Sequence, residues 1–279
     1  MVRDDAKGSD PVFAAMVSLP DEQIDLARAT LAIAQSEYPD LDVERYLRKI
    51  DDFAAQVRDR AGENADAPRL IATLNFVLFT LVGLRGNAPD YYDPKNSFLN
   101  EVIERKRGIP ISLSVLYIEV GRKAGLDLFG VSFPGHFLVK FANAGEDVVI
   151  DPFHRGAILS HAELQQRLDQ VYGGGVELEK NFLAPASKKQ ILIRMLANLK
   201  NIYLQREDHD RALGVMQRLL ILDPTEPENI RDRGLLYLKQ ECFLQAKEDL
   251  ERYLEIAPDA PDAGAVREYL LATLKFKYH

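Results

Sequence analysis

The chain of 279 residues contains one cysteine and no tryptophan, and no apolar run in it approaches the ~20 residues that a membrane-spanning helix needs. A lone Cys242 can form no internal disulfide, which fits a reducing compartment. The opening MVRDDAKGSD lacks the apolar stretch of a signal peptide, so a cytoplasmic location without membrane association is expected. Basic residues are in deficit: 35 Lys and Arg against 43 Asp and Glu leave a formal charge of −8, which repels phosphate backbones and excludes general nucleic-acid binding. No P-loop, dinucleotide fingerprint or zinc motif is present. Gly173-Gly174-Gly175 is followed by Glu177 and Glu179 rather than by a Lys-Ser or Lys-Thr pair, and reads as a flexible linker instead of a phosphate cradle. Asp151, His154 and His161 match no established ligand spacing, so neither a metal nor a cofactor is expected.

What is there is ordinary globular material, 47% apolar and 28% charged, in a length that supports two cored domains. Residues 1–20 show no sustained periodicity and read as a loosely packed arm. From Asp21 onward, Ile24, Ala27, Leu31 and Ala34 fall at helical spacing, and Val43, Tyr46, Leu47, Ile50 and Phe53 mark a second helix. A third, Arg69 to Leu84, is apolar around most of its circumference and is expected deep in the domain. Pro110 suits the first turn of another mostly buried helix that runs to Gly125. Three β-rich runs follow, Leu128 to Phe133, His136 to Phe141 and Asp147 to Ile150, with ANAGE as a hairpin-like connection, and an antiparallel sheet is expected. A polar helix from His161 to Val171 leads to the glycines. The boundaries read from these patterns are an arm over 1–20, a mixed domain over 21–172, a linker over 173–186 and a helical domain over 187–279.

Shifted by 34 residues, the C-terminal part matches itself: Leu196 with Ile230, Tyr203 with Tyr237, Ala212 with Ala246, Leu220 with Leu254 and Pro224 with Pro258. Small Ala212 and Ala246 let helices approach closely, and each proline stands where a helix must stop. This region resembles the tetratricopeptide repeat, with two units over about Ile193 to Pro258 and a capping helix over Ala263 to Leu274. Gly234 matches the repeat's small residue, whereas Lys200 replaces it in the first unit. The resemblance implies a protein or peptide partner held on a concave surface; the alternative is a helical cap that stabilises the first domain, since independent binders usually have three or more units. Cys242 falls near the turn inside the second unit and reads as an incidental small residue.

The strings GIPISLS (108–114), FPGHFLV (133–139) and IDPF (150–153) resemble the SirB-type transglutaminase-like/tetratricopeptide family of bacterial proteins. The resemblance implies an α+β fold: a papain-like domain of helices and an antiparallel sheet, followed by the all-α repeats. In the active superfamily a cysteine at the start of a buried helix pairs with a histidine on one strand and an aspartate near the next. The helix terminus favours the thiolate, the imidazole moves the proton, and the carboxylate fixes the tautomer. His136 and Asp151 occupy the matching places. The helix that would carry the nucleophile begins Ile109-Pro110-Ile111-Ser112, with no cysteine.

Ser112, at the beginning of that helix, is the best placed substitute and Ser114 the second by helical position, although the pattern does not separate them securely. Ser112 has an equally simple role as a helix cap, His136 as a satisfied buried histidine, and Asp151 as a turn initiator before Pro152. Ser112, His136 and Asp151 are thus the candidate catalytic residues, and Arg107, Ser114 and His154 the candidate ligand contacts. Arg107 belongs to the basic run Arg105-Lys106-Arg107, either a solvated face or a site for an acidic group. Three functions follow: an interaction or regulatory adaptor with a degenerate pocket, a serine-dependent amidase, peptidase or acyltransferase using the His136–Asp151 pair, or a purely structural pair of domains.

Overall fold

The computed structural model describes residues 10–142 and 147–275. The chain folds as two compact units, Leu19–Met195 and the described parts of Met1–Ser18 with Leu196–His279.

Of the stretch 1–20 expected as an arm, residues 1–9 lie outside the described residues, and 10–18 are more ordered than an arm. Helix α1 (Pro11–Val17) starts with Asp10 accepting the Phe13 amide at 2.9 Å, and it buries Phe13 and Val17, one turn apart. It packs on α9 (His209–Leu222) of its own unit, where Asp10 pairs with Arg218 at 2.7 Å.

The larger unit begins with α2 (Leu26–Gln35) and α3 (Val43–Ala61), each capped by an aspartate, Asp25 and Asp42, that accepts the amide three residues on. Next comes α4 (Ala67–Asn75), which continues as a π-helical turn over Phe76–Leu81. That third helix is therefore interrupted, and it is not sunk all round: Phe76 and Leu81 are exposed while Val77, Leu78 and Phe79 are buried. The two-residue strands β1 (Arg85–Gly86) and β2 (Arg107–Gly108) pair in parallel on either side of α5 (Leu99–Arg105). Helix α6 (Pro110–Lys123) is the axis of the core. Its Val115, Leu116, Tyr117, Ile118 and Val120 are all fully buried, each such side chain contributing roughly 1.5–3 kcal/mol.

Against α6 lie β3 (Leu128–Val131) and β4 (Leu138–Phe141), followed in the sheet by β5 (Val148–Asp151) and β6 (Ala157–Leu159). The connection between β4 and β5 includes residues 143–146, outside the described residues. Helix α7 (His161–Tyr172) opens with a capping box, Ser160 with Glu163, and ends at Gly173 in the left-handed region.

The segment read as a linker is part of the first unit. Strand β7 (Pro185–Ala186) pairs antiparallel with β3, completing a five-stranded antiparallel sheet in the order β6-β5-β4-β3-β7. Leu178, Phe182 and Leu183 pack on the cluster of Val131, Phe133, Leu138, Leu164 and Leu168. The glycines and charges that suggest a tether are real, but the apolar residues interleaved with them have a core to join. The boundary between the units falls instead within α8 (Lys188–Gln205), between Met195 and Leu196.

The remaining helices are α9 (His209–Leu222), α10 (Pro227–Lys239), α11 (Phe243–Ile256) and α12 (Ala263–Lys275). Ala246 is fully buried, and a Cβ on Gly234 would lie 2.8 Å from Leu250, so α10 and α11 meet closely. Lys200, where the repeat pattern expects a small residue, is nearly buried and satisfied by Asp232 at 2.6 Å and Asn229 at 2.9 Å. Cys242 is the N-cap residue of α11 and only partly buried.

Candidate functional site

Asp151 is the last residue of β5 and is wholly buried. Pro152 ends the strand, and the short 3₁₀ turn Pro152–His154 that follows folds two amides back on the carboxylate: Phe153 N and His154 N donate to Oδ1 at 3.1 and 3.3 Å. His136 Nε2 lies 3.0 Å from the same oxygen. The other oxygen, Oδ2, meets His154 Nδ1 at 2.7 Å and the Arg167 guanidinium at 2.8 Å. Five donors thus converge on one buried carboxylate. Burial by itself pushes this carboxyl up, but the hydrogen bonds from His136 and then His154 outweigh it and hold the group well below the usual carboxylate range. Ionised, Asp151 accepts from both rings, which places a ring N–H of each histidine on it.

His136 is delivered by the loop between β3 and β4. Gly135 turns through φ +68°, and the His136 amide donates to Phe133 O at 3.1 Å. Arg194, from α8, clamps the loop by donating to the His136 carbonyl at 2.7 Å and to Phe133 O at 3.4 Å. The Asp151 turn is held from the other side. Asn75 Nδ2 donates to Gly156 O at 3.0 Å, Tyr117 OH donates to Asn75 Oδ1 at 2.9 Å, and Gly156 N returns to Asp151 O at 2.9 Å. A Cβ on Gly86 would strike the Phe153 ring at 2.7 Å, so β1 also presses on this turn.

The rings of His136 and His154 are stacked with centroids 5.9 Å apart, and Phe153 meets both edge-on. They face an open cleft of ≈ 430 Å³, which Gly135, Glu163, Gln166 and Arg167 also line. The His136 side chain is 15% exposed and that of His154 56%.

His136, Asp151 and His154 are therefore in mutual contact, while Ser112 is engaged elsewhere. Its hydroxyl donates to Asn96 O at 2.6 Å and accepts the Ile109 amide at 3.1 Å, both wholly inside the protein. Asn96 in turn is fixed by Asn87 and by the Asp90 and Tyr91 carbonyls. Ser114 is buried, and its hydroxyl has no partner among the described residues. Arg107 lies exposed in β2. Arg167 has no signal in the sequence beyond lying on a polar helix. Asn75 does have one, as a single amide inside an otherwise apolar run.

A family model described as the transglutaminase-like superfamily matches residues 44–197. The chain belongs to that superfamily. Behind its transglutaminase-like domain a tetratricopeptide repeat model matches residues 199–270. Bacterial relatives align along nearly the whole length: a "UPF0162 protein" of Xylella fastidiosa strain 9a5c is 40% identical over 264 residues, 94% of each chain. One of Vibrio cholerae is 31% identical over 263 residues, 90% of this chain and 94% of the relative. A crystal structure of menin, described as revealing the binding site for Mixed Lineage Leukemia protein, covers 88% of this transglutaminase-like chain and 69% of its own. At 11% identity and a TM-score of 0.43 that likeness carries no argument.

Proposed function

We propose that this protein is an interaction or regulatory adaptor whose transglutaminase-like domain uses the His136–Asp151 cleft to bind a ligand rather than to run thiol or serine chemistry. The observation that carries the reading is the Ser112 hydroxyl. Its hydrogen is committed to Asn96 O at 2.6 Å and its lone pair to the Ile109 amide, so it acts as a structural tie at the start of α6. A serine nucleophile needs its hydrogen on a base at the instant of attack. The sequence offers no thiol in its place, since its one cysteine is Cys242 in the repeats. The tetratricopeptide helices support a protein or peptide partner, which is the general use of such repeats.

The 3.0 Å contact between His136 and Asp151 is what favours the second reading, a serine-dependent amidase, peptidase or acyltransferase. Labelling the purified chain with a serine-directed phosphonate separates the two. The adaptor reading expects no covalent adduct. An adduct on Ser112 that disappears in His136→Ala would replace it with the hydrolase.

A further inference from the structure

The site's histidines are arranged around Asp151 in a way that proton transfer alone does not require. A relay needs one imidazole on the carboxylate; here there are two, on different oxygens. One donor atom each from His136, Asp151 and His154 lies within 4.8 Å of the others. The ring nitrogens that face the carboxylate are Nε2 of His136 and Nδ1 of His154.

We propose that His136, Asp151 and His154 bind one divalent transition-metal ion of the zinc, cobalt or nickel kind, with the remaining coordination positions opening on the cleft. The inference deepens the ligand-binding role given to that cleft. Two imidazoles and a carboxylate are a donor set that such ions take, whereas calcium and magnesium prefer oxygen alone. With bonds of ~2.1 Å, two donors on a tetrahedral ion stand roughly 3.4 Å apart, so a movement of up to about 1.5 Å in the exposed His154 ring closes the site. No bond to carbon is made or broken. Each neutral imidazole yields the nitrogen that now donates to Asp151 and carries its hydrogen on the other ring nitrogen instead.

The surroundings have the features of a supporting shell. Ligating carboxylates are themselves hydrogen-bonded in metal sites, and Asp151 keeps Arg167, Phe153 N and His154 N when the imidazoles turn to the ion. Arg194 fixes the backbone of one ligand and Asn75 the turn that bears the other two. Arg167 also sets a limit: its positive charge beside the ion makes the site weaker than a closed four-ligand zinc centre. No spacing motif announces the trio, because His136 comes from a different segment than Asp151 and His154.

The test is a titration of the untagged full-length chain, stripped with chelator, with zinc chloride by calorimetry and with cobalt chloride by visible absorption. One ion per chain is expected, with cobalt bands of a nitrogen-and-oxygen site. His154→Ala, at a half-exposed position, should leave the fold intact by circular dichroism and weaken binding at least roughly tenfold, and His136→Gln should do the same. His161→Ala, an exposed neighbour outside the trio, should change nothing. Absence of stoichiometric binding, or binding that His154→Ala leaves unchanged in a folded chain, overturns the proposal. Either failure leaves the adaptor reading standing, because that reading is decided by serine labelling without metal.

Discussion

Asn75 and Gly156 are cut to fit one another: the amide of Asn75 donates to Gly156 O at 3.0 Å, and a Cβ on Gly156 would lie 2.0 Å from Asn75 Oδ1. Gly156 also holds φ +75°, where a side chain is strained whatever the space. Gly156→Ala should therefore lower stability by about 2 kcal/mol or more through clash and strain together. Urea unfolding measures it, and a loss below about 0.5 kcal/mol would show that the turn can relax away from Asn75.

Asp151→Asn should cost roughly 3 kcal/mol at neutral pH, because it leaves Arg167 and two imidazoles around a buried neutral amide. The pH dependence has a definite sign. The folded carboxyl lies below its unfolded value of about 3.9, so its contribution is complete above that pH and is lost as pH falls toward the folded value. Wild type should lose stability on acidification below pH ~4 more steeply than Asp151→Asn. Parallel acid limbs in urea melts of the two proteins would contradict the ionised, donor-held carboxylate.

Ser112→Ala should destabilise by about 1–3 kcal/mol, since it strands the Asn96 carbonyl and the Ile109 amide inside the protein. The same substitution at Ser114, whose hydroxyl has no partner among the described residues, should be neutral or slightly stabilising. Equal losses at the two positions in thermal melts would mean that the Ser112 ties carry no weight.

In the repeat unit, Lys200→Ala should cost more than Lys200→Met. Both substitutions take Lys200 from Asp232, which keeps Arg231 at 2.7 Å, but alanine also leaves a cavity whereas methionine fills the volume. A difference of at least about 1 kcal/mol in denaturant melts is expected.

The elements of this fold are legible wherever one period runs unbroken. The buried helix after Pro110 and the strands around His136 and Asp151 need only apolar runs and their breakers, and Asp151-Pro152 announces the turn that holds the carboxylate. The stretch from Gly173 to Ala186 is not legible as structure, because three glycines and alternating charges mask Leu178, Phe182 and Leu183, whose burial depends on a core assembled elsewhere. Residues 10–18 escape notice for a similar reason: Phe13 and Val17 make a stripe only two residues long, too short for periodicity to detect. In the site, the strings that carry His136 and Asp151 bring those two to notice, but Arg167 and Arg194 act through tertiary approach and leave no mark in local sequence.

Asp10 and Arg218 are partners within one unit although 208 residues separate them. On the ribosome, at 5–20 residues per second, α1 is made roughly 10–40 s before the helix it packs on. Through that interval the whole of Leu19–Met195 is synthesised, while Phe13 and Val17 have no partner surface of their own unit to cover them. The repeat unit is thus closed by a segment made long before the helices it joins. A chain that ends before α9 keeps Phe13 and Val17 without the surface that shelters them in the finished unit.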